Sequence, residues 1–600
     1  MNRQQRRADK KRDKPAPLRS PSPAQALFNE AIGFHQSGQL GRAEQLYKEV
    51  LRVDPRHFDA LHLLGLIARH AGQLDAAEAL IRRAIAENGR DASFHSNLGN
   101  ILQELGKIQE AEAAFAQAIK LAPDFAPAHF NLSNLLRHQG KLAAAATHLG
   151  KALSLEPENP DARSNLGLIY RDLGRLREAE EQLDLALVHR PDFAQAHCNM
   201  GLVRLGAGDI DRAVASFRAA LVCLPSLAEA HNGLGSALKK QDRVGQAVTA
   251  FARATSAIPS YAEAHSNLGL ALKEQARLDD AIGSFDRALG VRPDLAEARF
   301  ARGLALLQKG DWRRAWDDYE FRWLQNGQTV RMRSYPQPLW RGDAAQGRTL
   351  LLWSEQAFGD CIQFARFAPE LARRGWRVIL ETRPELRRLL QGLEGVTVIA
   401  EGEPVPEFDV HYPLLSVPRL LGITPETLPP VSLGLPDAAV AAGQALLGDP
   451  AGLRIGINWR GRATNQRERW RAASAELFAT FLGTPGIEIV SLQKEATPEE
   501  LAALGPNVRD LSANLSDFAD TAGIVANLDL VITVDTAMAH LAGAVNTRTW
   551  VLLDFASDWQ WLRDRRDSPW YPSVTLFRQP RPGDWQSVAA AIGAELAARL

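Results

Sequence analysis

The apolar run Leu530–Val534 leads straight into Asp535-Thr536-Ala537-Met538-Ala539-His540, a strand entering a helix of small residues. Amides in the first turn of such a helix have no intrahelical partner. Together with the Thr536 hydroxyl they suit a pyrophosphate, and His540 lies one turn on, on the same face as Thr536. Asp535 and Thr536 are equally suited to capping the helix. Two further segments carry compatible chemistry. Arg460, Arg462, Arg467, Arg469 and Arg471 put five guanidinium groups into twelve residues behind the apolar run 454–459. Arg forks match phosphate oxygens, and a solvated charged loop is the alternative. Gln493 and Lys494 follow the run 487–490 at another strand end.

A different pattern fills the first half. Asn97, Asn131, Asn165, Asn199 and Asn267 occupy one position of a 34-residue period, and His95, His129, His197, His231 and His265 stand two residues before them. A column of carboxamides offers paired donors and acceptors that can bind an extended peptide backbone without reading its side chains; the alternative is a tolerated polar residue on an exposed face. The His column reads as packing between adjacent first helices. Ligands a full repeat apart with no carboxylate partner do not make a metal site.

The elements that must carry these residues follow from periodicity. Pro123, Pro157, Pro191, Pro225, Pro259 and Pro293 recur every 34 residues, with Gly38, Gly72, Gly106, Gly140, Gly174, Gly208 and Gly310 at mid-unit. Ala43, Ala77, Ala111, Ala145 and their successors each precede by four residues a large apolar side chain such as Tyr47, Ile81, Phe115 or Leu149. The unit is two antiparallel helices with a Gly-centred turn, closed by Pro. It resembles the tetratricopeptide repeat (TPR), in about nine copies over 24–327. That resemblance implies an all-α superhelix whose units bury their apolar faces only by stacking. The Asn column is similar to that of O-linked N-acetylglucosamine transferases, which implies a protein or peptide held in the concave surface. The last unit, from Asp311 to Trp323, reads as a cap whose aromatics dock on the next domain.

Beyond a linker at 328–348, short apolar runs alternate with helical segments, first over 349–435 and again over 450–600. This predicts α/β structure with parallel sheets in two Rossmann-like lobes, whose ligands sit beyond the carboxyl ends of the strands. Several segments then resemble the glycosyltransferase family 9 (heptosyltransferase-like) domain: 355–364 with Gly359-Asp360, the Arg loop, Ser491-Leu492-Gln493, Asp517-Phe518-Ala519-Asp520, Asp535-Thr536 with His540, and Asp558-Trp559 with Trp570-Tyr571-Pro572. The resemblance implies a GT-B fold, an acceptor-side lobe followed by a nucleotide-sugar lobe, and transfer from a nucleotide-diphosphate sugar as substrate, with no metal or other cofactor. It gives Asp360 the role of general base on the acceptor hydroxyl, although an Asp there also suits a helix cap. Phosphate contacts fall to Arg469, Arg471, Thr536 and His540, and the nucleotide base to the region of Gln493. Where the family pattern has His, Asn, Asp and Ser in the Arg loop, this chain has Asn465, Arg467, Glu468 and Ala472.

Composition narrows the partners. Across 600 residues, 70 Lys+Arg balance 70 Asp+Glu, which argues against a chain built to coat nucleic acid or an acidic membrane. Three cysteines, Cys198, Cys223 and Cys361, are too few and scattered for a disulfide framework and fit a reducing, cytoplasmic location. Residues 1–23 are basic and Pro/Ser-rich without the apolar core of a signal peptide, and read as a disordered tail. No run of 18 apolar residues provides a transmembrane segment. The expected function is a glycosyltransferase acting on a protein recruited by the repeats. The alternatives are a non-catalytic scaffold with a degenerate transferase fold, and a transferase with a glycan acceptor.

Overall fold

The computed structural model describes residues 22–325, 332–431, 433–450, 452–461, 468–483 and 486–599, the side chains of Glu468 and Arg469 excepted. The expected N-terminal tail lies almost wholly outside these residues, as does the centre of the Arg-rich loop. The chain divides into two compact units, Met1–Ala237 and Leu238–Leu600.

Among the described residues, eighteen helices from Pro23–Gln36 to Trp312–Tyr319 form nine consecutive pairs. The spacing of Ala and large apolar residues puts one stripe of each second helix inside: Ala43 and Tyr47, Ala111 and Phe115, and Ala281 and Phe285 are fully buried. Facing first helices come close because of their glycines. A Cβ on Gly99 would lie 2.5 Å from the Phe115 ring.

Each pair turns at a residue in the left-handed region. Glycine takes this position at φ +74 to +95° in seven pairs, while Asp242 and Ala276 adopt φ +58° in the other two. Asp can compensate with local hydrogen bonds and Ala cannot, so Ala276 holds strain that the glycines avoid.

The remainder of the second unit is α/β. Strands β1 (Thr349–Trp353), β2 (Arg377–Thr382), β3 (Val396–Ala400) and β4 (Val410–Pro413) form a sheet in the order β3-β2-β1-β4. Strands β5 (Leu453–Asn458), β6 (Ile487–Ser491), β7 (Val508–Asp510), β8 (Leu530–Val534), β9 (Thr549–Leu553) and β10 (Val574–Arg578) form a second, in the order β10-β9-β8-β5-β6-β7. Every strand pairing is parallel. Read from β7, the second order is that of a doubly wound dinucleotide-type sheet, with its switch point between β5 and β8. Near-continuous burial along β8 and β9 is what a sheet covered on both faces demands. After β1 come two short helices, Phe358–Phe364 and Phe367–Arg373, so Asp360 sits in the first turn of a helix rather than capping one from outside.

The described part of the expected linker, 332–348, is packed rather than free. Leu339 bridges to His411 beside β4, and Trp340 lies against Trp376 and Tyr412. The aromatic cap docks as its composition suggested. Trp312 and Trp316 pack on Trp559, with ring centroids 6.2 and 6.0 Å away, Trp312 also meets Trp570 at 5.2 Å, and Trp316 Nε1 donates to the Ile423 carbonyl at 2.8 Å.

Replacing Ala276 by Gly should stabilise its repeat by about 1 kcal/mol, the left-handed strain being only partly offset by the entropy of glycine. Slower amide hydrogen exchange across Ala262–Glu274 and Leu278–Val291 is the expected result.

Candidate functional site

Loops leaving the carboxyl ends of β1, β2, β5, β6, β7, β8 and β9 converge on a cleft of about 710 Å³. Asp360, Arg471, Gln493, Lys494, Asp535, Thr536 and His540, singled out from sequence in separate segments, all line it. The side chain of Arg469, with Arg462, Asn465 and Arg467, lies outside the described residues.

Thr536 is the N-cap of helix Ala537–Ala544. Its Oγ1 accepts from the Met538 amide at 3.3 Å and donates to Asn458 Oδ1 at 3.0 Å. The capping alternative is therefore realised, and the hydroxyl is held rather than freely offered. Asn458 is the hub that sequence reasoning missed. Its Oδ1 also accepts from Thr533 Oγ1 at 3.2 Å, while its Nδ2 donates to Gln493 Oε1 at 2.9 Å. Gln493 Oε1 accepts the Arg460 amide as well, at 3.2 Å, so the floor of the cleft is one continuous network. The available signal was a lone amide side chain ending the apolar run Ile455-Gly456-Ile457 at a strand terminus.

Arg460, counted among the phosphate candidates, forks onto Glu500, with Nε and NH2 at 2.7 and 3.0 Å. That pairing holds the Glu500 carboxyl down at about 2. Its role is to tie the loop after β5 to helix Pro498–Leu504. Arg471 and the exposed Lys494 face the cleft from the same lobe, and Arg383, lying over the Phe358 ring at 5.2 Å, faces it from the other.

His540 differs from the phosphate-binding expectation. It is buried, its Nδ1 is 3.1 Å from Tyr571 Oη, and its ring stacks on Trp561. Burial, reinforced by the Arg366 charge, pushes its pKa down to about 3, so it acts as a neutral imidazole. A Cβ on Gly359 would lie 2.8 Å from its Cδ2, so the glycine before Asp360 is what lets the two lobes meet there.

Asp360 stands in the first turn of its helix, partly open to the cleft and surrounded by protein elsewhere. Gln560 Nε2 approaches its Oδ1 at 3.4 Å. Burial first, then the charges of Asp558 and Asp535, raise its pKa to about 7. A carboxyl titrating near neutrality can accept a proton from a hydroxyl and release it again. Among the described residues, no group of three or more His, Cys, Asp or Glu is arranged to hold a metal ion, and no helix is long and apolar enough to cross a membrane.

The Asn column has a structural occupation that sequence did not reveal. Nδ2 of Asn131 and Asn199 donates to Ser96 and Ser164 Oγ at 3.3 and 2.9 Å; that of Asn165 donates to Asn134 Oδ1 at 3.0 Å. Asn97 Nδ2 lies 2.8 Å from His62 Nε2. In each case the donor half of the carboxamide ties one first helix to the preceding one. Asn199 is fully buried, and Asn267 is half-buried at the corresponding place. The His column, in which His129, His231 and His265 are buried, also binds backbone. His95, His129, His197, His231 and His265 direct Nε2 at the carbonyl six residues earlier, at 2.9–3.1 Å, and Arg163 and Arg299 do the same with Nε at 2.9 Å. This column staples the inter-repeat loop by giving its Pro or Gly carbonyl a side-chain donor.

The repeat region matches the tetratricopeptide repeat family over 34–101 and 136–198, and by a second description of that repeat over 96–153, 198–262 and 266–329. These residues are tetratricopeptide repeats, an architecture that binds other proteins. Protein FlbA of Caulobacter vibrioides is 29% identical over 313 residues, 47% of this chain and 52% of FlbA, so the chain spans about half of that relative. Among solved structures, a tetratricopeptide repeat protein from Parabacteroides merdae is 18% identical, covering 47% of this chain and 98% of that one, at a TM-score of 0.33. YrrB, described as a TPR protein with an unusual peptide-binding site, is 22% identical over 37% of this chain and 98% of its own, at 0.23. Superpositions this loose add nothing beyond the repeat itself.

Two outcomes are expected. The folded-state pKa of Asp360 lies above that of an unfolded Asp, so its ionisation opposes folding: not at all below about pH 4, increasingly up to about 7, and fully above. Asp360→Asn should therefore raise the melting temperature at pH 8 and leave it unchanged at pH 3.5, as a calorimetric pH series would show. Asn199→Ala should cost about 1–2 kcal/mol, because the buried Ser164 hydroxyl loses its donor; denaturant melts followed by hydrogen exchange at helix Pro160–Asp172 check this.

Proposed function

We propose that the chain is a glycosyltransferase that moves a sugar from a nucleoside-diphosphate donor to a protein held by its tetratricopeptide repeats. The observation that carries this reading is the cleft: a carboxyl with its pKa near 7, Asp360, faces the capped helix start at Thr536 across the carboxyl ends of two parallel sheets. On this reading Asp360 takes the proton of an acceptor hydroxyl as that oxygen forms its bond to the anomeric carbon. The bond from that carbon to the diphosphate breaks with inversion, and the charge appearing on the leaving phosphate is met by Arg471, Lys494 and the first turn of helix Ala537–Ala544. The resemblance to family 9 transferases supports the same assignment, implies the GT-B arrangement and needs no metal. The amide network through Asn458 and Gln493 suits the polar edge of a nucleobase or ribose. A protein acceptor, rather than a glycan, is favoured by the repeats, with the part-exposed carboxamides of Asn97, Asn131, Asn165 and Asn267 contacting peptide backbone and the buried Asn199 holding the helices that present them. A reducing, cytoplasmic setting agrees with the unpaired cysteines.

One observation favours the non-catalytic scaffold instead. His540 is neutral and engaged with Tyr571, and Asp360, Asp535 and Asp558 crowd the same cleft, which weakens its pull on a diphosphate.

A thermal-shift screen with UDP, GDP, ADP, CMP and dTDP sugars separates the two. One nucleotide class at a hundred-fold excess over Kd should stabilise the protein by about 2.7 kcal/mol. Arg471→Ala and Thr536→Ala should abolish the shift. Asp360→Asn should keep the shift and lose at least about a hundredfold in transfer rate. No shift with any donor would leave the scaffold.

A further inference from the structure

The loop between β1 and helix Phe358–Phe364 lines the cleft with Gln356, Ala357 and Phe358 and delivers Asp360 to it. It has no regular structure of its own from Ser354 to Ala357, and between the backbone bonds at its two ends, Ser354 to the Glu381 carbonyl and Cys361 to the Ala357 carbonyl, side chains help to hold it. One of them is Glu355, whose carboxylate is fully buried five residues before Asp360. Its Oε1 accepts two bonds from a guanidinium that does not belong to the sheet domain: Arg322 NH2 at 2.6 Å and Nε at 3.2 Å.

Arg322 lies in the 3-10 turn Glu320–Leu324 that follows the last repeat helix, and it is itself 2% exposed. The site around it is complete. NH2 also donates to Ser416 Oγ at 2.6 Å, and NH1 donates to Glu320 Oε1 at 2.7 Å. The Tyr319 and Trp323 rings lie 4.6 and 4.5 Å from the guanidinium carbon. Such a planar, multiply held guanidinium is a fixed post. Glu355 is the dependent partner, since a carboxylate buried without its cation must either take up a proton or move toward water, carrying its loop with it.

We propose that Arg322, supplied by the last repeat, is a positioning residue for the catalytic loop: through Glu355 it fixes the segment that places Asp360 against the cleft. The sheet domain therefore does not present its base without the end of the repeat array. The inference rests on Asp360 being the base, but its structural half stands apart from turnover.

The test uses the full chain with Arg322→Ala, Glu355→Ala and Glu355→Gln, reading deuterium uptake over 354–364 together with transfer kinetics for whichever donor the screen identifies. Arg322→Ala and Glu355→Ala should each raise uptake in that segment several-fold relative to β2 and β8. They should lower kcat about tenfold or more while donor KM stays within about twofold, since misplacing the base leaves the nucleotide side intact. Glu355→Gln, which keeps an acceptor for Arg322, should restore both readouts to near wild type. Should Arg322→Ala unfold, Glu355→Ala decides, because it leaves Arg322 bonded to Glu320 and Ser416. Unchanged uptake over 354–364 in folded Glu355→Ala, or Glu355→Gln behaving like Glu355→Ala, overturns the proposal. A wild-type protein with no turnover overturns the transferase reading instead, and the exchange data still decide this one.

Discussion

Every strand pairing in the sheet domain is parallel, and that constraint organises the site. A parallel strand cannot turn back on itself, so each is followed by a crossover, and all the outgoing loops collect on one edge. There the backbone must change direction, helices must begin and amides must be satisfied. Thr536 caps a helix, Asp517 caps another by accepting the Ala519 and Asp520 amides, and Asn458 and Gln493 satisfy the end of β5. The residues that finish the fold are thus the residues that face the cleft, and any chemistry there is built from groups already committed to structure.

That double duty sets the charge balance. Arg383, Arg471 and Lys494 face Asp360, Asp535 and Asp558 across the same volume. A purely cationic cleft would bind phosphate more tightly but would pull the Asp360 pKa down and remove its basicity at neutral pH. Burial does the reverse, and the acidic neighbours add to it. Arg388, bonded to Asp517 and Asp520 at 2.8 and 3.1 Å, joins the two sheets beside the cleft without entering this balance.

Much of this was legible in the sequence because periodicity is local. The 34-residue spacing marks every helix pair, and seven of the ten strands stand out as apolar runs. The others do not, for a physical reason: β4 ends in His411-Tyr412-Pro413, β7 is Val508-Arg509-Asp510, and β10 carries Thr575 and Arg578, so none of them looks continuously apolar. The convergence of Asp360, Arg471, Gln493 and Thr536 was legible through the rule that such loops share an edge. Which donor meets which acceptor was not. That Thr536 reaches Asn458, that His540 is neutral beside Tyr571, and that the Asn and His columns satisfy the repeats' own backbone and side chains all depend on partners 6 to 78 residues away.

The change of period between the last repeat helix and β1 marks where helices give way to strands, but it does not mark a free linker. Burial ties the two regions together. Trp312, Trp316 and Arg322 belong to the last repeat by sequence but find their partners in Trp559, Ile423 and Glu355. Exposing two indoles and a buried ion pair would cost more than the flexibility a free linker could return. An array that ended in an ordinary repeat would leave its last helix joined to the sheet domain by the chain alone. One that ends in a tryptophan-rich wedge packed on Trp559, Trp570 and Ile423 makes the last repeat part of the sheet domain's own packing.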